Sequence, residues 1–461
     1  MILLPPPLLD IVAHLRDAGY RPVFVGGFVR DAFTGKTTSD VDIELYGADS
    51  LDALETSLSG FGPVNTVGKS FGVCKLTYQG YTVDLSLPRL DSKHGNGHKG
   101  FDVICFKDLD YAQAARRRDF TINAIGYDPF ENKLLDPYGG IDDLKRRILR
   151  CVDPETFVED PLRVLRAVQF AARFNLQCDP GLLELCTSMI DRGAFEELPK
   201  ERIFDEFKKL FLLSPSPSIG LKLLQKMGGL PFFSPLEKLA ATPQNPHSHP
   251  EGDVWTHVLM CVDVMASAPI DDPKRKLYLM LAVLLHDIAK PFTTVIENGK
   301  ITAPGHALAG VDIARAWLGR ICEDRSLVEL VLPLVRYHGF PKKLYEDNGS
   351  DSDILHLSRV VRIDDLIHVA RADFFGRMFA FNVPERFEAG EWLYANAKRL
   401  NVLIKAPDPL LKGRDLIALG MQPSTRFSQI LSDAYNAQLD LNFTTHEEVL
   451  LWVKNYLANP R

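Results

Sequence analysis

The sequence predicts an α+β chain: a small mixed-sheet head followed by all-α segments. Strand-like apolar runs lie between residues 22 and 87, bounded by glycines and polar loops. From about residue 151 onward the apolar residues recur at helical spacing, interrupted by Pro/Ser-rich and Pro/His/Asn-rich stretches. At 461 residues the chain is also too long for one core, which implies three or four domains.

Leu9 to Ala18 reads as a helix in front of the first strand, Pro22 to Val25, which stops at Gly26-Gly27. A helix begins after the glycines. Glycines at such a turn let backbone N–H groups and the positive helix end approach a phosphate. Arg30, on the first turn, can reach the same anion. A loop, Thr34 to Ser39, leads into Asp40-Val41-Asp42, which opens a second strand, Ile43 to Tyr46. Residues i and i+2 of a strand share a face, so the two carboxylates point together. Carboxylates beside a phosphate cradle suit Mg²⁺-dependent phosphoryl chemistry, because hard cations take oxygen ligands. Gly35-Lys36-Thr37 is not a P-loop, since that motif needs glycine where Arg30 stands.

Residues 51–60 read as helix and Gly72 to Tyr78 as strand. Tyr81 to Leu87 alternates strictly, with Tyr81, Val83, Leu85 and Leu87 on one face. Asp84 faces the other way and is the third carboxylate. A polar loop, Asp91 to Gly100, follows. In Arg116 to Tyr127, RRRDFTINAIGY, Arg118-Asp119 stands beside Asn123 at helical spacing.

The run GG-x-VRD, a short loop and D-x-D resembles the catalytic head of the polymerase β-like nucleotidyltransferases. The branch is that of the CCA-adding tRNA nucleotidyltransferases and bacterial poly(A) polymerases. RRDFTINAI and DPYGGIDDLKRRILR reproduce further motifs of that branch. The resemblance implies Mg²⁺ on Asp40 and Asp42, with Asp84 as a third catalytic carboxylate. It implies that Gly27, Arg30 and Arg118 hold the triphosphate, an arginine fork being suited to phosphate oxygens.

Glu159 to Arg166, EDPLRVLR, opens a helix running to about Phe174. Asp160 before Pro161 makes a good helix start. Asp160 and Arg163 are three apart and share a face. A carboxylate accepts from the amino group of cytosine or adenine, while a guanidinium donates to a ring acceptor. Uracil and guanine present a carbonyl oxygen instead, so one pair selects C and A. That is how the resembling family chooses CTP and ATP, with Arg166 in the same motif. Gln169 departs from the family, which often has Arg there.

Leu198 to Leu213 is an amphipathic helix, Ser214 to Ser218 a joint, Ile219 to Pro231 a helix and Ala241 to Asp253 a linker. Beyond them lie His257, His286-Asp287, His306, His338 and Asp373. Imidazoles and carboxylates from separate elements, with adjacent His-Asp, match the HD-type metal phosphohydrolases. A transition metal or Mg²⁺ suits such mixed ligands. Glu346 to Asp353 is a polar loop. Pro407 to Gln438 resembles the tRNA-contacting tail of CCA-adding enzymes.

The expected domains are a head (1–150), neck (151–213), connector (214–245), HD domain (246–380) and tail (381–461). Net charge is −7, so nucleic-acid binding must rest on local patches such as Arg116–Arg118, Lys145–Arg147 and Lys208-Lys209. Seven cysteines without a C-x-x-C pair fit a reducing cytoplasm. No signal peptide or membrane-spanning run is evident. The expected partners are tRNA, CTP and ATP. Self-association as a homo-oligomer stays open. Three rival readings stand beside CCA addition: a poly(A) polymerase, a CC- or A-adding member of a two-enzyme pair, and an RNA-binding protein with a dead head.

Overall fold

A computed structural model describes residues 2–47, 52–65, 73–93, 101–105, 109–378 and 384–458. They fall into two compact units, Met1–Phe232 and Phe233–Arg461.

The first unit is built on strands β1 (Arg21–Val25), β2 (Asp40–Tyr46), β3 (Val64–Asn65), β4 (Val73–Tyr78) and β5 (Tyr81–Ser86). Strands β6 (Arg89–Lys93) and β7 (Phe101–Cys105) form a separate ladder, and β8 (Gly126–Asp128) and β9 (Lys133–Leu135) complete the main sheet. Its order is β3-β4-β5-β2-β1-β8-β9. The β2–β5 pairing is parallel and the other ladders of the sheet are antiparallel. Alternation decides what each face does. Val41, Ile43, Leu45, Val83 and Leu85 point into a core shared with the helices Pro6–Asp17 and Asp52–Leu58. Asp40, Asp42 and Glu44 therefore point to the opposite face.

Several expectations are adjusted by tertiary packing. The Arg118-to-Asn123 stretch is not an α-helix. A short helix, Tyr111–Ala115, ends before it, and a 3₁₀ turn, Thr121–Asn123, follows. Of the expected polar loop, Asp91 to Lys93 belong to β6, and residues 94–100 lie outside the described residues. The helix expected from Ile219 to Pro231 runs instead over Pro217–Lys226 and stops before Gly228, whose φ is +78°. Ser214–Ser218 does not divide the units. The Pro217–Lys226 helix packs on the helix Leu162–Phe174, where a Cβ on Gly220 would meet the Val168 carbonyl oxygen at 2.6 Å.

In the second unit the helix Pro273–Leu285 is buried from Lys276 to Leu285 and takes neighbours on all sides. Val254–Ser267, Arg325–Tyr337 and Ile363–Phe375 pack around it. A smaller core joins Leu416, Phe427, Ile430, Val449 and Val453 from the last three helices. The polar stretch Glu346 to Asp353 is a junction, not a plain loop: Ser350 and Asp353 form a reciprocal cap that starts Asp351–Val360.

Gly140 opens the helix Gly140–Arg146, and an added Cβ would meet the Thr121 carbonyl oxygen at 2.1 Å. Gly140→Ala should therefore destabilise the first unit by about 1–3 kcal/mol. Calorimetry should show its melting temperature lowered by several degrees. An unchanged transition would mean that the Thr121 backbone yields freely.

Candidate functional site

The parallel β2–β5 ladder sets Asp42 directly opposite Asp84 and Asp40 opposite Thr82. Paired residues of a ladder share a face, so the three expected carboxylates stand on one side of the sheet. Lys75 on β4 lies 3.3 Å from Asp84. Desolvation raises the Asp42 carboxyl, with Arg118 opposing and Asp84 reinforcing the shift. An all-oxygen, negatively charged cluster of this kind fits a hard divalent cation. Gly26 (φ +66°) ends β1 beside them, where a Cβ would meet Arg118 Nη1 and Asp42 Oδ2, each at 3.2 Å. Glycine is required here on both counts.

Arg118 is fixed from behind by Glu44, whose side chain is fully buried. Glu44 Oε1 accepts from Arg118 Nη2 at 2.8 Å and Arg117 Nη2 at 3.0 Å, and Oε2 accepts from the Tyr46 hydroxyl at 3.1 Å. Burial works against the Glu44 carboxylate, but the two arginines win and hold its pKa below the usual range. Arg30 is placed differently from a free anion contact. Its guanidinium is buried, donating to Asp31 Oδ1 at 2.8 Å and Asn123 Oδ1 at 2.6 Å, and its centre lies 4.5 Å from the Phe174 ring centroid.

A cavity of about 280 Å³ brings Arg118 together with Asp119, Asp160, Leu162, Arg163, Arg166 and Arg202. Asp160 Oδ1 accepts from the Leu162 amide at 3.1 Å, at the first residue of the helix Leu162–Phe174, whose N-cap is Pro161 and not Asp160 as the sequence suggests. Its other oxygen accepts from Arg202 Nη2 at 3.0 Å. Arg163 donates to the carbonyl oxygens of Thr156 and Arg117, both at 2.6 Å. Each of those Nη atoms keeps a second hydrogen. Arg166 donates to Asp119 through Nε at 2.7 Å. Gln169 is buried, and its Oε1 has no hydrogen-bond partner.

In the second unit the six expected HD residues converge. His257 Nε2 lies 3.1 Å from Asp373 Oδ1 and 4.0 Å from Asp287 Oδ2. His286 Nε2 lies 3.2 Å from Asp287 Oδ2 without hydrogen-bond geometry, and is otherwise a buried, unsatisfied atom. His306 Nε2 and His338 Nε2 approach Asp287 Oδ1 at 3.4 and 3.9 Å. Nδ1 of His286, His306 and His338 faces the carbonyl oxygens of Val283, Ala303 and Val335 at 2.7, 2.7 and 2.8 Å. A carbonyl only accepts, so these Nδ1 atoms carry the proton and each Nε2 turns a lone pair inward. Converging lone pairs and carboxylates fit a divalent metal. Burial and His286 push His338 down to about 4. Asp287 and Asp373 are both held well below the carboxylate range; Lys290 and Arg377, respectively, more than offset burial. Cys261 Sγ, 3.4 Å from His257 Nε2, occupies space that only glycine at 376 leaves open. A cavity of about 530 Å³ opens onto the cluster, with Lys290, Arg377, Arg386 and Phe374 among its walls.

Residues 23–150 match the Poly A polymerase head domain, 177–236 the Probable RNA and SrmB- binding site of polymerase A, and 254–373 the HD domain. The Multifunctional CCA protein of Nitrosomonas eutropha is 32% identical over 404 residues, spanning 86% of this chain and 91% of that protein. The Multifunctional CCA protein of Halorhodospira halophila is 34% identical, over 77% of this chain and 83% of its own. The chain belongs to the CCA-adding tRNA nucleotidyltransferases with an HD domain. Its fold agrees with that assignment. The Bacillus stearothermophilus CCA-adding enzyme, solved in complex with CTP, superimposes with a TM-score of 0.66 at 20% identity, over 99% of this chain and 98% of that one. The Thermotoga maritima CCA-adding enzyme, solved with tRNA_CCA, gives 0.59 at 18% identity, over 98% and 96%. Membership of the family carries dependence on divalent metal in both domains. No described helix is long and apolar enough to cross a membrane.

Four participants escaped the sequence reading. Glu44 reads as one acid in an apolar strand, yet its i+2 spacing from Asp42 puts it on the face of the carboxylates. Arg202 stood on a helix noted only for amphipathicity. His249 and Glu251 lay in what reads as a linker, yet Glu251 Oε1 is 2.9 Å from His249 Nδ1 and 3.0 Å from His257 Nδ1.

Glu44 gives a pH prediction. Because its folded pKa is depressed, its stabilisation is complete above the ordinary value of 4.5 and is lost as pH falls through the lower folded value. Glu44→Gln should cost about 3–5 kcal/mol at neutral pH, since it leaves two arginines without their carboxylate. The gap between the variant and the parent in denaturant midpoint should narrow as pH drops from about 7 to about 3. A gap that is constant with pH would mean that the charge of Glu44 is not what stabilises the pair.

Proposed function

We propose that this protein adds C, C and A in turn to the 3′ end of tRNA from CTP and ATP, without a nucleic-acid template, in the cytoplasm. We propose further that its HD centre hydrolyses phosphate esters. The first reading rests on one observation: Asp40, Asp42 and Asp84 share a sheet face with Gly26 and Arg118, and Arg118 also lines the cavity of Asp160 and Arg163. The names of the curated relatives support the same reading.

In this reading residues 1–150 are the head, 151–213 the neck, 214–245 the connector, 246–380 the HD domain and 381–461 the tail. Asp40 and Asp42 hold Mg²⁺, which supplies neutralising charge at the triphosphate. Arg118, braced by Glu44, holds phosphate oxygens, and the Gly26-Gly27 turn lets them approach. Arg30 acts from beneath by fixing Asn123 and the turn. The 3′ oxygen bonds to the α-phosphorus as the bond to the β-phosphate breaks. Pyrophosphate leaves, and the hydroxyl proton passes to a carboxylate of the Asp42–Asp84 pair. Asp160 and Arg163 read the incoming base, with Arg166 and Arg202 holding the carboxylates around it. Their contacts to backbone and to Arg202 hold both groups before the base arrives, so selection needs little reordering.

The HD centre takes a 2′-phosphate or 2′,3′-cyclic phosphate at an RNA end. Lys290, Arg377 and Arg386 line its cavity, paired with Asp287, Asp373 and Glu391, and Phe374, stacked on Phe387 at 4.9 Å, gives it an aromatic wall. A transition metal or Mg²⁺ supplies the electrophilic charge there. Water is the nucleophile: its oxygen bonds to phosphorus as the ester P–O bond breaks, and its proton leaves to the carboxylate cluster.

Asp42→Ala should lower CTP and ATP addition on the order of a thousandfold while leaving hydrolysis of a 2′,3′-cyclic nucleotide intact. Asp287→Ala should do the reverse. Both are read by radiolabelled tRNA extension and by phosphate-ester hydrolysis with several added metals. Near-normal extension by Asp42→Ala would remove the catalytic assignment, and loss of extension in folded Asp287→Ala would remove the separation of the sites.

Arg163→Ala should weaken CTP and ATP use and relax discrimination against UTP and GTP. Single-turnover extension with each nucleotide measures this. An equal slowing with all four nucleotides would make Arg163 a structural residue only.

A further inference from the structure

We propose that Lys36 and Arg173, at the C-terminal end of the helix Leu162–Phe174, form a phosphodiester site that holds the tRNA strand leading to the reacting 3′ hydroxyl; this rests on the nucleotidyltransferase reading above. Three cations surround one aromatic ring there. Arg30 Cζ lies 4.5 Å, Arg173 Cζ 5.0 Å and Lys36 Nζ 5.2 Å from the Phe174 ring centroid. The ring attracts each of them but carries no charge that could neutralise them. Asp31 is the carboxylate of the group, and Arg30 already holds it at 2.7 Å. Lys36 and Arg173 are left uncompensated.

Arg173 is half-buried, yet it makes no hydrogen bond or ion pair among the described residues. A guanidinium has five N–H donors, and here the protein accepts from none of them. Burial and the like charge of Arg30 both push Arg173 below its ordinary pKa, against a smaller pull from Asp31. An anion at these donors relieves both costs. Lys36 is exposed and likewise has no acid partner among the described residues. Its loop is not free, because the Asp40 amide donates to Thr38 Oγ1 at 3.1 Å and Phe174 receives the ammonium group.

Placement identifies the anion. Arg166, in the wall of the nucleotide cavity, lies 5.4 Å from the Phe170 ring centroid, and Phe170 stacks on Phe174 at 5.6 Å. Positions 166, 170 and 174 are four apart and share a helix face, which runs from that cavity to Arg173. Lys36 stands four residues before Asp40, no more than about 14 Å away along the chain. The site is therefore within a few nucleotides of the catalytic carboxylates. Positive charge also continues past the helix end. The Gln177 amide donates to the Arg147 carbonyl at 2.8 Å, and neither Arg147 nor Lys145 has an acid partner among the described residues. A triphosphate needs one compact cradle, which Arg118 and the glycine turn supply. A strand with a charge at every nucleotide needs a row of cations. Such contacts position the RNA without reading its sequence.

The test is tRNA binding by the full chain, followed by fluorescence anisotropy across a salt series, with steady-state extension measured beside it. The parent is compared with Lys36→Gln, Arg173→Gln and Arg173→Lys. Each glutamine variant should bind tRNA roughly three- to tenfold more weakly at low salt, with a log–log salt slope shallower by about one. KM for tRNA should rise by the same factor, while KM for CTP and kcat at saturating tRNA hold. Arg173→Lys should restore the slope. An unchanged salt slope in either folded glutamine variant overturns the proposal. So does a rise confined to KM for CTP and ATP, which would mark a triphosphate site. Lys36 is exposed, so Lys36→Gln decides alone if Arg173→Gln unfolds. Binding is read without turnover, so a parent that holds tRNA through these residues but extends nothing would fail the nucleotidyltransferase reading alone.

Discussion

Glu44 accepts two arginines inside the head, and both halves of the proposed nucleotide site take their positions from that contact. The strand that displays Asp40 and Asp42 is the strand that buries Glu44, two residues farther along the same face. If Arg118 shifts, the fully buried Glu44 loses one of its two arginines and keeps Arg117 and the Tyr46 hydroxyl, and weakening the pairing of a buried carboxylate is costly. Arg118 is thereby held against Gly26 and Asp42. Arg117 shares Glu44 Oε1, and its carbonyl oxygen receives the Arg163 guanidinium. One carboxylate thus fixes Arg118 and, through the adjacent residue, Arg163.

The same segment carries the connection further. Asp119 accepts from Arg166 on the helix Leu162–Phe174 and from Asn123 Nδ2, and Asn123 in turn accepts from Arg30 under the glycine turn. Residues 117–123 therefore tie β2, the glycine turn and the helix Leu162–Phe174 into one polar network. A buried ionic network is a weak source of stability compared with apolar packing of the same volume. Its value here is geometric. The network leaves one arrangement in which every charge is satisfied, so Arg118 and Arg163 keep a constant separation.

The legible part of this site was what strand periodicity decides. Alternation in β2 and β5 was enough to put Asp42 and Asp84 on the face opposite the core, because a strand has only two faces. The end of the helix carrying Arg163 was likewise visible, and its start lies one residue later than Asp-Pro suggests, with Pro161 as the N-cap. What escaped depends on partners distant in sequence. Arg118 to Asn123 has helical spacing, but the demands of Glu44, Asn123 and Arg166 break it into turns. Arg202 gains meaning only from Asp160 across the packed helices. Ser214–Ser218 has the composition of a domain joint, but Gly220 admits the next helix tightly onto its neighbour and absorbs the turn into the first unit.

The histidine centre was visible for a different reason: its ligands sit at helix ends, where local backbone chemistry orients them. His286 and His338 are the C-terminal caps of Pro273–Leu285 and Arg325–Tyr337, and each donates Nδ1–H to a carbonyl in the last turn. Those carbonyls have no partner within the helix. One hydrogen bond therefore satisfies a helix end, fixes the imidazole tautomer and aims Nε2 at the centre. This is why side chains spread over more than a hundred residues are held in one orientation around the centre. It also explains the exception. His257 lies inside its helix, where no carbonyl is unmatched, and its Nδ1 must be fixed by a side chain from outside. Glu251 supplies it from the preceding stretch, so a segment that looks like a linker becomes part of the centre.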